Sequence, residues 1–533
     1  MPRKRSKATG YILDRNVRED CDEQRASLGK QQPHRTQCPL MSPDGSVKEP
    51  IDRPGFLHCL RNPDVPSQPP SNRSPSNEQG QFDGLEGCAV VDFYSCVRDL
   101  TLLSLENEEN LSVRFIEHFF NTGDAVSEIF CKACLLEEWR DFTQTYESMN
   151  RDEAFAFMAI VYGAMSISLL YCRSLGVLAP GDIPAEDRLI LRSLELCSMC
   201  LDCSNLNEAG RYKVEAAAVR LTAELYIKFN LQKAYASVGQ VLALAESLGY
   251  TNLSEAPVCE AGRRQETWLY LRHCQYYVSF YYGKIQTVLP KRNQSWTVHY
   301  RMTKDPIHCP VKPCPRSTLA LIHKIEEAAT DIGLRIFQET NITAEALQEF
   351  DHQLEEIYKQ QLKHVMGHLV ETFQTRQMVM IVYHAARLVS HRWALLGENI
   401  HRSDAISTFS RQKCLQSAME ILTIQRILQN HRKSHNPSML SPLILCDFLL
   451  AQTVLRLELS YLIRVHNPAP AFEQHRQVYY SSTTISEILR DSLQAWGELD
   501  MISVPWNANL VCQETKSTLS DHDHMVINEV HHE

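Results

Sequence analysis

The chain carries no Gly-x-Ser-x-Gly elbow, no Gly-rich phosphate loop and no His-Glu-x-x-His. The common sequence routes to acyl transfer, nucleotide chemistry and zinc hydrolysis are therefore missing, and no catalytic residue is expected. Runs of alternating β-branched residues bounded by turn dipeptides are also absent, which argues against sheets. The opening residues, "MPRKRSKATG", are basic but lack an apolar h-region, so a secretory signal is not expected. A net charge of −10 rules out a global basic field, and any nucleic-acid contact has to come from a local patch.

What is present is the composition of a soluble globular protein: 44% apolar and 22% charged residues over 533 positions. Its 18 cysteines read as reduced thiols of a cytosolic or nuclear protein, since disulfides do not persist there. Residues 1–85 are rich in Pro, Ser, Asn, Gln and charge, and are expected to form a disordered basic and Pro/Ser-rich arm. From residue 86 to 505 apolar stripes at helical spacing predict a large all-α domain of antiparallel helical hairpins, followed by a flexible tail over 506–533. The stripe at Val214, Ala217, Ala218, Leu221 and Leu225 is one example. After Asn230, a second stripe runs from Ala234 to Leu248 and meets Gly249 where a helix cap belongs. No sustained period supports a solenoid.

One run tests the soluble reading. Residues 154–172, "AFAFMAIVYGAMSISLLYC", carry no charge over a length close to a membrane span. Four Ala, one Gly, two Ser and two Tyr dilute its hydrophobicity, and Asp152, Glu153 and Arg173 close it tightly. A buried central helix is the expectation, with no membrane partner.

"CSMCLDC" (197–203) spaces three cysteines like a zinc knuckle, yet they continue the helical stripe of Ile190, Leu194 and Leu201. Structural zinc takes its Cys-x-x-Cys from a turn and needs a second pair; the other one, Cys131–Cys134, lies far upstream and it too sits in an apolar helical context. Core packing is the expectation, and no metal or cofactor is assigned. His308, Cys309 and Cys314 sit in a proline-rich connector, and Cys21, His34 and Cys38 lack the first half of a finger. Glu355 and Glu356 read as solvated surface. The cluster Arg3, Lys4, Arg5 and Lys7 suits an importin groove or phosphate contacts.

Four ordered blocks carry a resemblance. "EAGRRQETWLYLRHCQYYVSFYYGK" (260–284) resembles the segment of fungal-specific transcription factor domains, the middle homology region of zinc-cluster regulators, that runs as Glu, an Arg pair, Trp, Asp, then Gly-Arg-Pro. Arg263, Arg264, Trp268 and Gly283 match it; Gln275 stands in place of the Asp, and Lys284-Ile285 in place of Arg-Pro. "AYASVGQVLALAESLGY" (234–250) is similar to the family's preceding helix. "MVMIVYHAARLVSHRWALL" (378–396) is similar to its Tyr-His…His-Arg-Pro helix through Tyr383, His384, His391 and Arg392, and "KCLQSAMEIL" (413–422) continues in order. The matched residues read as fold-specifying, and Trp268 with the tyrosines around it as packing.

The resemblance implies a nuclear transcriptional regulator or co-regulator of metabolic or secondary-metabolite genes, open to a small-molecule effector. It lacks the family's DNA reader: before residue 86 stand only Cys21, Cys38 and Cys59, too few for a two-zinc, six-cysteine cluster. Action through a DNA-binding partner protein, as a homodimer, or through the basic N-terminus stays open. A helical small-molecule-binding or scaffold protein without direct DNA binding is the alternative.

Overall fold

The computed structural model describes residues 111–145, 148–176, 187–206, 208, 210–251, 258–282, 318–338, 343–366, 372–391, 405–434, 440–466, 481–497 and 508–532. The fold is all-α: the described residues form fourteen α-helices and one 3-10 turn, with no strand among them. In chain order these are α1 (Leu111–Asn121), the 3-10 turn (Ala125–Ile129), α2 (Lys132–Thr145), α3 (Arg151–Ser174), α4 (Asp187–Cys203), α5 (Lys213–Lys228), α6 (Leu231–Ser247) and α7 (Val258–Tyr282). There follow α8 (Thr318–Gln338), α9 (Ala344–Met366), α10 (Thr372–His391), α11 (Ala405–Ser434), α12 (Pro442–His466), α13 (Ser482–Gly497) and α14 (Ala508–His532).

α3 is the long uncharged run, and every residue from Ala154 to Cys172 is buried. α1, α4 and α5 pack around it, which is how a helix apolar on all sides is used in a core. The charges that bound the run in the sequence cap it in the structure. Asn150 accepts from the N–H groups of Asp152 and Glu153 at 2.9 and 3.4 Å, and both acids sit in the first turn, where the helix dipole favours them.

α3 owes its tight packing to Gly163. A Cβ there would lie 2.5 Å from Val219 Cγ1 of α5 and 3.3 Å from Cys197 Sγ of α4. Gly163→Ala therefore sets about 1–3 kcal/mol of overpacking against the roughly 1 kcal/mol that Ala gains in helix propensity. A net loss of stability is expected, read as a lower urea midpoint at unchanged slope. A variant as stable as the wild type would show that the crossing of these helices yields.

Cys197 and Cys200 of "CSMCLDC" are completely buried on the inner face of α4, with Cys203 half-buried. Burial pushes the Cys197 thiol up to about 12, so it stays protonated and apolar. Among the described residues no three His, Cys, Asp or Glu side chains gather where a metal ion could be held.

α5 and α6 form the expected hairpin. Asn230 caps α6 by accepting from the Lys233 N–H at 2.9 Å. Gly249, at φ +74°, ends it in a Schellman motif, with Tyr250 N–H bonded to Ala245 and Gly249 N–H to Glu246. α7 then packs against α6 and α8 and touches α5, α12 and the 3-10 turn. α10 is surrounded by α8, α9, α11 and α12, and α11 to α14 close the C-terminal end.

Two helices depart from expectation. α2 bears out the helical context read at Cys131–Cys134, but its extent is not read because its anchors Leu135, Trp139 and Phe142 are diluted by charge; Trp139 stacks on Phe142 and Phe157 at 5.7 and 6.4 Å. The expected flexible tail over 506–533 is corrected: α14 packs on α12 and buries Val511, Thr515, Thr518, Leu519, His522 and Met525. Half of that inward face is polar, so no apolar stripe announces it. The arm 1–85, with Arg3, Lys4, Arg5 and Lys7 and the Cys21–His34–Cys38 set, lies outside the described residues, as do Gly283, the His308–Cys309–Cys314 connector and Arg392.

Candidate functional site

The most chemically loaded part of the interior lies where α7 meets α8, α12 and the 3-10 turn. Asp447 of α12 sits in the otherwise apolar run "PLILCDFLL" and is fully buried. Two α7 tyrosines one turn apart reach it: Tyr277 O–H donates to one carboxylate oxygen at 2.8 Å and Tyr281 O–H to the other. On the same helix His273 Nδ1 meets Glu326 Oε1 of α8 at 2.6 Å, and the second Glu326 oxygen is buried without a hydrogen-bond partner. Asp124, ahead of the 3-10 turn, accepts from the Val126 N–H at 2.8 Å and from Tyr226 O–H of α5. Tyr270, also of α7, bonds Thr222 of α5 at 2.5 Å.

Charge balance governs this knot. Burial raises the Asp124 carboxyl and lifts Asp447 to about 7, against the opposing bonds from Tyr281 and Tyr277. Burial would lower His273, but the Glu326 carboxylate outweighs it, with Asp124 and Asp447 adding, and His273 ends above its usual value. Arg272, lowered by burial and held up by Glu326, is the second nearby cation. Three carboxylates against His273 and Arg272 leave one surplus negative charge in a dry interior, which a proton on Asp447 removes. This arrangement binds three helices together through buried polar groups. Gln275 accepts a bond from Arg272.

A second knot joins α9, α10 and α11. Arg387 grips Asp351 with two bonds, Nε–H at 2.6 Å and Nη2–H at 2.9 Å, and Lys413 Nζ adds a third at 2.9 Å. His391 satisfies both ring nitrogens when Nε2–H faces Asp351 at 3.3 Å and Nδ1 accepts from Ser410 at 3.2 Å. Burial alone would raise Asp351, yet His391, Arg387 and Lys413 hold it well below the carboxylate range. His384 is pushed down to about 3 by burial and by Arg387. Tyr383 stacks on Tyr358 with ring centroids 4.0 Å apart. The side of α10 that reads as more polar is thus an interior ion cluster: His384, Arg387 and His391 are all buried.

A third knot holds the other matched residues. Arg263 Nε lies 3.2 Å from Glu215 of α5, and Arg263 Nη1 lies 3.4 Å from Glu138 of α2, which also binds Arg211 at 2.7 Å. Tyr250 O–H donates to Glu215 at 2.8 Å. The Tyr212 ring, at φ +70°, is flanked by Arg211 and Arg263 at 4.5 and 5.1 Å. Arg264 pairs with Glu260 one turn back, and Trp268 is core.

The structure therefore places Arg263, Arg264 and Trp268 on α7, the two arginines partly exposed, and Tyr383, His384 and His391 on α10, all three buried, as two separate sets. Asp447, His273, Glu326, Asp124 and Asp351 escape the sequence reading. A lone Asp inside an apolar run was the available signal for Asp447; nothing local marks the others. Glu355 and Glu356 pair with Lys359 at the surface, as expected. No protein-family model, curated protein or solved structure matches the chain.

Proposed function

We propose that this chain is a transcriptional regulator or co-regulator acting through a helical regulatory domain, with no catalytic step of its own. The observation that supports this reading is the use made of the matched residues. Arg263 ties α7 to α2 and α5, and His391 with its neighbour Arg387 ties α10 to α9. Both anchor ion clusters that join helices, partly exposed at Arg263 and buried at His391, which is the fold-specifying part read for them. Metabolic or secondary-metabolite genes are the proposed targets. Contact with DNA is assigned to a partner protein or to Arg3, Lys4, Arg5 and Lys7.

Chromatin immunoprecipitation of the tagged full chain tests it. Enrichment at discrete promoters is the expected result. Loss of signal on deleting residues 2–7, with nuclear entry restored by an unrelated import signal, assigns the contact to the basic cluster; retention assigns it to a partner protein. A protein excluded from the nucleus, or one without enrichment anywhere, overturns the reading in favour of a helical small-molecule-binding or scaffold protein.

A further inference from the structure

α14 is built from residues that hold a helix poorly by themselves. Asn, Val, Thr, Ser, Asp and His fill most of Ala508–His532, and all of them rank low in helix propensity. An isolated helix of such a sequence is marginal in water, so α14 depends on its seat for its shape.

That seat is a half-polar face of α12, with a smaller contact on α13. Val511, Leu519 and Met525 are the buried apolar anchors, and Thr515, Thr518 and His522 are buried between them. Three side-chain ties cross the contact. Gln452 Nε2 donates to Thr515 Oγ1 at 2.9 Å, Arg456 meets Glu514 at 2.9 Å, and Arg490 of α13 meets Asp523. The last pair is half-exposed on both sides, where an ion pair adds little.

Buried polar atoms of this contact are left without a hydrogen bond. His522 is 3% exposed and neither ring nitrogen is bonded, although Asp523 lies 3.6 Å from Nδ1. Arg456, whose Nη2 takes Glu514, keeps its Nε buried and unbonded. Docking that strips water from a polar group without replacing its bond weakens the contact. The same polarity lets the two faces part without baring a continuous apolar surface, since Gln452, Arg456, Thr515, Thr518 and His522 all regain water.

α12 holds its own place by other means. Leu449, Leu450, Val454, Leu455 and Leu459 are completely buried, and α12 packs on α11 and α13 as well. α14 is the last described element, so its departure drags no other described helix with it.

We propose that α14 is a releasable latch. It leaves its seat and unravels as one unit while α1 to α13 stay folded, baring the Gln452–Arg456 face of α12, and it redocks with no other rearrangement. This inference does not depend on the function proposed above.

Hydrogen exchange of the native full chain, followed by mass spectrometry across low urea concentrations, tests it. Peptides from 508–525 should exchange about a hundredfold faster than those from 443–462, at one common rate and with a shallow urea dependence. Trypsin should cut native protein after Lys516, exposed on the outer face of α14, at a rate that follows the same opening. His522→Leu puts an apolar side chain where a buried imidazole has no bond, and should slow both readouts about tenfold while leaving α12 unchanged. Protection of 508–525 equal to that of α12 overturns the proposal, because α14 would then open only with the whole domain. So does fraying graded from the C-terminus, with Val511 to Leu519 as protected as α12. A His522→Leu helix that exchanges faster than the wild type also counts against it, since the imidazole would then strengthen the seat. The wild-type map decides the release even if the variant does not fold.

Discussion

Arg263→Met should cost the folded protein about 3–5 kcal/mol, the penalty of leaving a buried carboxylate without its cation. Glu215 is 1% exposed and takes its charge partner from Arg263; the Tyr250 hydroxyl that also reaches it cannot supply a charge. The same guanidinium covers the Tyr212 ring, whose left-handed backbone needs support from its surroundings. Met has a similar apolar length, so the change tests charge rather than volume. The measurement is the urea midpoint, with Glu215→Leu and the double variant completing a cycle.

The rival view is that Arg263 merely fills space. In that case Arg263→Met would cost under about 1 kcal/mol, and adding Glu215→Leu would make matters worse. On the ion-pair view the double variant recovers much of the loss, because replacing both members of a buried pair by apolar groups is far cheaper than removing one. Arg263→Lys should fall between, since a point charge cannot face Glu215 and Glu138 at once as the planar fork does.

The contrast between what could be read beforehand and what could not follows the range of the interactions. α3 was legible because its whole run from Ala154 to Cys172 is apolar, and the hairpin because Asn230 and Gly249 act on backbone groups within a few residues of themselves. Arg263 and His391 were singled out by pattern, but their partners were not. Glu138 is 125 residues from Arg263 and Asp351 is 40 from His391, and only the packed chain joins them. α14 failed for a related reason: Thr515 is buried because Gln452 of α12 reaches it at 2.9 Å, a pairing no local periodicity records. The cysteines were sorted correctly where the helical stripe decided, on α4. They were not at Cys131, read as part of an apolar helical context but exposed, because the helix starts just after it.

Asp447→Asn should gain on the wild type as pH rises, by about 1.4 kcal/mol per pH unit over roughly pH 4 to 7. The folded carboxyl is raised to about 7, well above the unfolded value, so between those limits the native state binds the extra proton. Stability from this group is complete at the acidic end and is lost as pH climbs through the folded value. His273 contributes in the same direction, because its folded value is also raised and its stabilisation fades as it deprotonates. His384 and His391 act oppositely: both are lowered by burial, so acid weakens the fold through them. A bare pH profile of the wild type mixes these signs, and the difference from Asp447→Asn isolates the carboxyl. Asn keeps an oxygen for Tyr277 or Tyr281 but leaves its amide hydrogens to find partners, so the variant starts somewhat weaker in acid. The two curves should then cross and stay apart above pH 7, where the wild type alone must bury a charge. Curves that run parallel from pH 4 to 8 would mean that Asp447 is ionised throughout, and that the surplus charge of the α7–α8–α12 knot is neutralised at Asp124 instead.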